Sequence, residues 1–265
     1  MGVSKTNKTY ASRYKTDVSV SQTSNVGFDA TTRKMCSGDG ADSALSLSDD
    51  VLSVQPVTDN TTGTMLVKNQ GGSNILAVDT TNSKVLVGAS QVAANTFYQR
   101  FSVVNHTQTS NIHYPMGLGN TDFSVTGLTE DTALGTGTDP ALTLDISAAT
   151  SESNAWVHYY WYLPDAITLD SAIVLSGGTS ATDSGLNFHI MSYTLDTSSN
   201  HGDLSAGTVV ADSSVTSAID EDVIKTTSLT IQSADIAAGK VLLATFESDT
   251  SNVTSSQMIV KYHIR

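Results

Sequence analysis

The chain holds a single cysteine, Cys36, so no intrachain disulfide can form. Proline, charge and aromatics are also sparse: four prolines, 15% charged residues and 6% Phe, Trp and Tyr in 265 residues. Lysine and glutamate, the usual surface residues of helices, are scarce, which points away from a helical fold. No apolar run approaches the roughly 18–20 residues that a membrane-spanning helix needs. The opening residues contain no apolar stretch of the kind a secretory signal carries. Residues 1–44 contain no Leu, Ile or Trp and cannot supply a core. Cations are outnumbered, giving a net charge of −13, and this speaks against nucleic acid as the main partner.

Hydroxyl side chains fill the space left by these absences, with 36 serines and 36 threonines. Threonine suits strands, and serine and glycine suit the loops between them. The charge is unevenly spread. Residues 1–40 carry a net charge of +3, from Lys5, Lys8, Arg13, Lys15, Arg33 and Lys34 against Asp17, Asp29 and Asp39. The rest of the chain is strongly acidic. A basic end on an acidic body suggests an arm that docks on an acidic surface.

The clearest pattern runs from Thr64 to Gly88. Leu66, Leu76 and Leu86 fall ten residues apart, each in a short β-type run: Met65–Val67, Ile75–Val78 and Val85–Val87. Turn residues separate the runs, as in an all-β repeat. Burying one such side chain contributes about 1.5–3 kcal/mol, whereas ordering each residue costs about 1–2 kcal/mol of backbone entropy. A three-rung ladder therefore needs neighbours, and further copies of the same chain would supply them.

The expected organisation is all-β. It comprises an extended N-terminal docking arm over 1–44, a short trimeric β-repeat stem over 45–89 and a junction and linker over 90–140. An eight-stranded, jelly-roll-like β-sandwich over 141–265 completes it. Its strands are expected at 141–147, 155–163, 167–176, 186–196, 207–212, 227–232, 240–247 and 257–264. In the second of these, bulky residues occupy both parities, Trp156, His158, Tyr160 and Tyr162 against Val157, Tyr159 and Trp161. Both faces of that strand are therefore expected to be covered.

No catalytic motif stands out. Gly-x-Ser-x-Gly, Cys-x-x-Cys and His-Glu-x-x-His are all absent. Asp196-Thr-Ser and Asp249-Thr-Ser lack the glycine of an aspartic-protease motif. The acidic turns Asp39–Asp42 and Asp220–Asp222 lack EF-hand spacing. The chain reads as a non-enzyme with no cofactor and no metal. Trp156, Tyr160 and Tyr162 are left with two readings, contact to a host glycan or a subunit interface.

Residues 74–88, Asn-Ile-Leu-Ala-Val-Asp-Thr-Thr-Asn-Ser-Lys-Val-Leu-Val-Gly, resemble a unit that recurs in the trimeric fibres of tailed bacteriophages. Tyr160–Pro164, Leu169–Val174, Ala238–Leu242 and the closing run Met258–Arg265 are similar to β-sandwich domains of phage fibres and head-decoration proteins. The resemblance covers residues 50–88 and 155–265. It departs from a long tail fibre in having only about three rungs, with no autochaperone-like or enzymatic segment after them.

The resemblance implies a structural virion protein on the outer surface of the particle, a homotrimeric head fibre or capsid decoration (cement) protein. Leu66, Leu76 and Leu86 would form the trimer stem. Lys5, Lys8, Arg13 and Lys15 would anchor the arm on capsid or tail proteins. The second reading is a short tail-fibre or receptor-binding module that recognises a host-surface glycan. Neither a membrane nor nucleic acid is an expected partner.

Overall fold

A computed structural model describes residues 18–20, 28–88, 92–119, 134–149, 156–179, 185–198, 202–214, 219, 221–251 and 253–265. The described chain is all-β, with four sheets and only isolated helical turns. It divides into two compact units, Met1–Asn95 and Thr96–Arg265.

The N-terminal unit contains two antiparallel meanders of four strands each. The first joins β1 (Val18–Val20), β2 (Arg33–Ser37), β3 (Asp42–Leu47) and β4 (Leu52–Val54) in chain order. Residues 33–44 are therefore part of a folded sheet with residues 45–54, not an extended arm. Asp29 helps to set the entry to β2: it accepts from both Arg33 guanidinium nitrogens, at 2.7 and 2.8 Å, and from the Thr31 amide. The Arg33 guanidinium holds the Asp29 carboxyl well below the usual carboxylate range.

The second meander joins β5 (Met65–Lys68), β6 (Asn74–Asp79), β7 (Lys84–Val87) and β8 (Val92–Ala93). The three expected ladder runs are β5, β6 and β7. Their turns are closed by side chains. Asn69 Oδ1 accepts from the Ser73 amide at 2.9 Å, and Asp79 accepts from the Asn82 amide and side chain at 2.9 and 2.7 Å. Gly72, at φ +86°, lies in the left-handed region that the first of these turns requires.

The C-terminal unit begins at β9 (Thr96–Thr107), followed by β10 (Tyr114–Pro115) and β11 (Gly117–Leu118). The described residues of 90–140 are thus more than a junction and linker. Phe101, Val103, Tyr114 and Met116 are fully buried and belong to the main core. The remaining strands are β12 (Trp161–Tyr162), β13 (Ile167–Gly178), β14 (Leu186–Leu195), β15 (Leu204–Asp212), β16 (Lys225–Ser228), β17 (Thr230–Ile231), β18 (Asp235–Ile236), β19 (Lys240–Ser248) and β20 (Val253–Ile264).

These strands form two six-stranded sheets. One runs β10-β19-β14-β15-β17, with β12 also on β19. The other runs β11-β9-β20-β13-β16, with β18 also on β13. Alternation places Phe188, Ile190, Leu242, Ala244 and Phe246 of the first against Phe101, Ala172, Val174, Met258 and Val260 of the second, in one buried cluster. The bulge between Leu169 and Ser171 turns Asp170 toward His263, whose Nδ1 lies 3.1 Å from each carboxylate oxygen.

The opposite face of the β14–β19 sheet is covered as well. Leu134, Leu144, Trp156 and Tyr159 pack on Met191, Tyr193, Val241 and Leu243 as a second cluster. Two expected strands are absent here. Residues 141–147 contribute only a bridge between Leu144 and Leu204, then a turn held by Asp145. Residues 155–163 are not one extended strand: Trp156 opens a single helical turn, closed by the Tyr159 amide donating to the Trp156 carbonyl, and only Trp161–Tyr162 pair as a strand. Bulky residues on both parities fit a helical turn that packs one side and exposes the other. Here Trp156 and Tyr159 are buried while Val157 is 69% exposed.

Candidate functional site

The register of the second meander decides which side chains share a surface. Leu66 pairs with Ala77, and Ala77 with Leu86, whereas Val67 pairs with Leu76, Leu76 with Val87, and Val87 with Val92. In a pleated sheet, directly paired residues point to the same side. Leu66 and Leu86 therefore flank Ala77 on one face, and Leu76 lies on the other. The three leucines do not form one stripe. Leu76 instead centres a patch made by Met65, Val67, Val78, Val85, Val87 and Val92.

Asn74, on the same parity of β6 and paired with Lys68 after a bulge, borders this otherwise apolar patch, and no described residue of the N-terminal unit buries the patch. Met65, Val67, Val85, Val87 and Val92 are each 40–44% exposed. The first meander has a similar face, with Val18, Leu45, Leu52 and Val54 exposed. Among the described residues of this unit, only Ala77 is a buried hydrophobic. Sequence reasoning missed Val67, Val87 and Val92. The signal that could have found them lies in the turns, because turn length sets which parity on β6 meets which parity on β5 and β7.

The docking-arm residues Lys5, Lys8, Arg13 and Lys15 lie outside the described residues.

The aromatic candidates separate. Trp156 is fully buried, so it is unavailable for glycan contact. Tyr160 is half-buried and donates its hydroxyl to the Gly202 carbonyl at 3.0 Å; burial raises its pKa. Tyr162 alone of the three is largely exposed, at 51%. A second, partly exposed aromatic group forms where Tyr262 packs on Phe97 at 5.7 Å and on Trp161 at 4.9 Å. The cleft beside it, between Trp161, Pro164, Asp165, Tyr262 and Ile264, measures about 80 Å³. That suits one side chain, well below the roughly 300–1,000 Å³ of ordinary ligand sites.

A larger groove of about 530 Å³ lies between Val103, Val104, Leu175, Ile224 and a set of serines. Those hydroxyls are already engaged. Ser256 donates to Ser176 at 3.0 Å, Ser102 donates to the Gly119 carbonyl at 2.8 Å, and Ser255 accepts from the Asn105 amide at 3.0 Å. Among the described residues, no titratable side chain lines this groove, so its serines have no acid or base beside them.

The titratable groups that the fold does bury are histidines. His113 and His189 stack edge to face with centroids 5.3 Å apart, exposed by 0% and 1%. The His113 Nε2 lies 2.8 Å from the Gly137 carbonyl, and the His189 Nε2 lies 3.5 Å from Asp139. The second nitrogen of each ring has no hydrogen-bond partner. Burial pushes His113 down to about 4, against the Gly137 carbonyl and Asp139, which pull it up. It lowers His189 as well, against Asp139 and Asp212. His106, ringed by Tyr114 and Phe246, is pushed to about 4 by burial alone. These rings are neutral packing elements at neutral pH. Among the described residues, no three His, Cys, Asp or Glu side chains are placed to hold a metal ion. No helix of the described chain is long and apolar enough to cross a membrane.

No protein-family model matches this sequence, and no curated protein is significantly similar to it.

Proposed function

We propose that the chain is a structural protein of a tailed-phage virion, a homotrimeric head fibre or capsid decoration protein. The N-terminal unit acts as an assembly stem, and the C-terminal unit is a displayed, jelly-roll-like β-sandwich. The observation that carries this reading is the contrast in burial. The C-terminal unit packs two clusters of its own, whereas the described residues of the N-terminal unit leave its apolar faces open. A module without a core is completed by association, and one with a core can be presented on a surface. Basic residues 5–15 supply the anchor to the particle. The described residues offer a stacked, neutral histidine pair and a groove of satisfied hydroxyls, which supports a structural role over catalysis. The alternative, a tail-fibre module that binds a host glycan, is favoured by the exposed ring of Tyr162 and the Trp161–Tyr262 pair.

Immunogold microscopy of virions with antibody against residues 96–265 tests the assignment. Label over the capsid is expected. Label confined to the tail selects the alternative, and unlabelled virions overturn both readings.

A further inference from the structure

The two meanders of the N-terminal unit have the sequence of half-buried sheets without the layer that would bury them. On β5–β8 one face carries Met65, Val67, Leu76, Val78, Val85, Val87 and Val92, with polar residues only at its edge, where Asn74 pairs with Lys68. The charged pair of this sheet, Asp79 and Lys84, sits on the other face with Ala77 and Leu86. We infer that the Val67–Leu76–Val87–Val92 face is an obligate contact between copies of this chain, and that the leucine stripe is not.

Three considerations select a second copy as the occupant. The first is area. At the exposures above, the β5–β8 face presents roughly 400 Å² of apolar surface, half of the about 800 Å² that each partner gives to a standard interface, and the β1–β4 face offers roughly 300 Å² of its own. Patches of this size on soluble chains mark association sites. The second is charge. Each copy carries −13, so copies repel wherever acidic surfaces meet. This face carries no acidic side chain, only Lys68 at its edge, and lets acidic copies approach without that cost.

The third is permanence. With only Ala77 buried among its hydrophobics, the described part of the unit has almost no core of its own to hold it folded. Its partner must therefore be present whenever the chain folds. A copy of the same chain always meets that condition, and most soluble oligomers are built this way. The inference rests on the self-assembly part of the function proposed above and is independent of where on a virion, or whether on a virion, the assembly sits.

The test uses the full recombinant chain, purified without any other protein. Its mass by light scattering is expected to be a multiple of 27.8 kDa, with amides of β5–β8 protected from hydrogen exchange. Val87→Asp is expected to weaken association by roughly a hundredfold or more, because it drives a carboxylate into the contact. Val87→Thr keeps strand propensity and should weaken it by roughly tenfold, separating interface loss from misfolding. Ile75→Asp, on the opposite face and already 51% exposed, should leave the mass unchanged.

A purified chain that stays monomeric with β5–β8 unprotected shows that something other than a copy covers the face, and overturns the inference. Equal effects of Val87→Asp and Ile75→Asp overturn the choice of face. Neither result depends on virion labelling. An assembly that forms through this face yet labels no virion leaves the inference standing and defeats only the proposed function.

Discussion

Leu76 and Leu242 occupy matching places: each lies within a strand that has a partner on both sides. Leu242, on β19 between Trp161 and Ser192, is completely buried, because a second sheet closes over it. Leu76, on β6 between Val67 and Val87, remains partly open, and the valines beside it are 40–44% exposed. Strand pairing is equally complete at the two sites. What differs is the third dimension. In the C-terminal unit the β14–β19 sheet is covered on both faces, while in the N-terminal unit no described residue covers the apolar face of either meander. Backbone hydrogen bonding therefore specifies the sheets in both units, but only burial decides which one is stable alone.

Acid should separate the two units most strongly. Residues 1–95 contain no histidine, whereas the C-terminal unit buries four, His106, His113, His189 and His263. For His106 and His113 the folded values lie near 4, below the ordinary 6.5. Between those limits the unfolded chain binds protons that the folded chain refuses. Stability is whole above about pH 6.5 and drains as pH falls toward 4. The loss is about 3 kcal/mol for each of these two rings, roughly 6 kcal/mol together. Both tryptophans, Trp156 and Trp161, lie in the C-terminal unit, so urea titrations followed by tryptophan fluorescence read that unit by itself. A midpoint independent of pH from 7 to 4 would show that these histidines are not held neutral.

Phe246→Ala should cost the C-terminal unit about 3–5 kcal/mol in the same titration, independent of protein concentration. Phe246 is fully buried and packs against Tyr114 and His106, each at 5.7 Å. A midpoint that shifts with concentration would show that this unit too depends on association, and would erase the contrast.

The smallest of the three effects concerns the layer outside the β14–β19 sheet. A Cβ on Gly207 would come within 2.6 Å of the Tyr193 ring and 2.9 Å of the Leu142 backbone. Gly207→Ala should therefore cost about 1–3 kcal/mol, by lifting the 141–144 segment and its Tyr193–Ala141 hydrogen bond. Unchanged stability would mean that this outer cover contributes little.

How much of this is legible in sequence varies with the element. Strands β13, β14, β19 and β20 stand out as long β-type runs bounded by Gly- and Ser-rich turns, and the expected ranges overlap the observed ones closely. The ladder strands are equally plain. β9 is not, because Ser90 and the spacing of Val92, Phe97 and Phe101 fit a helix as well as a strand. Its strand character comes from β20, which pairs along nearly all of it from about 150 residues away. The fate of Trp156 is similarly set by distant residues, Met191, Tyr193 and Leu243 among them. The leucine stripe fails for a local reason. A period of ten looks like a stack, but in antiparallel strands the pairing Leu66–Ala77–Leu86 puts the middle leucine on the reverse side.

The position of β20 also shapes how the chain comes into being. This strand lies between β9 and β13, and those two have no other link across the sheet. During translation, both emerge from the ribosome before the strand that joins them. At about 5–20 residues per second, β20 follows β13 after roughly 4–15 seconds. For that interval the nascent chain displays two unpaired edges and an uncovered core, including Phe101 and Val174. The β9–β20–β13 sheet is thus joined only when β20 arrives, and crowding of unfinished chains is the hazard its synthesis must pass through.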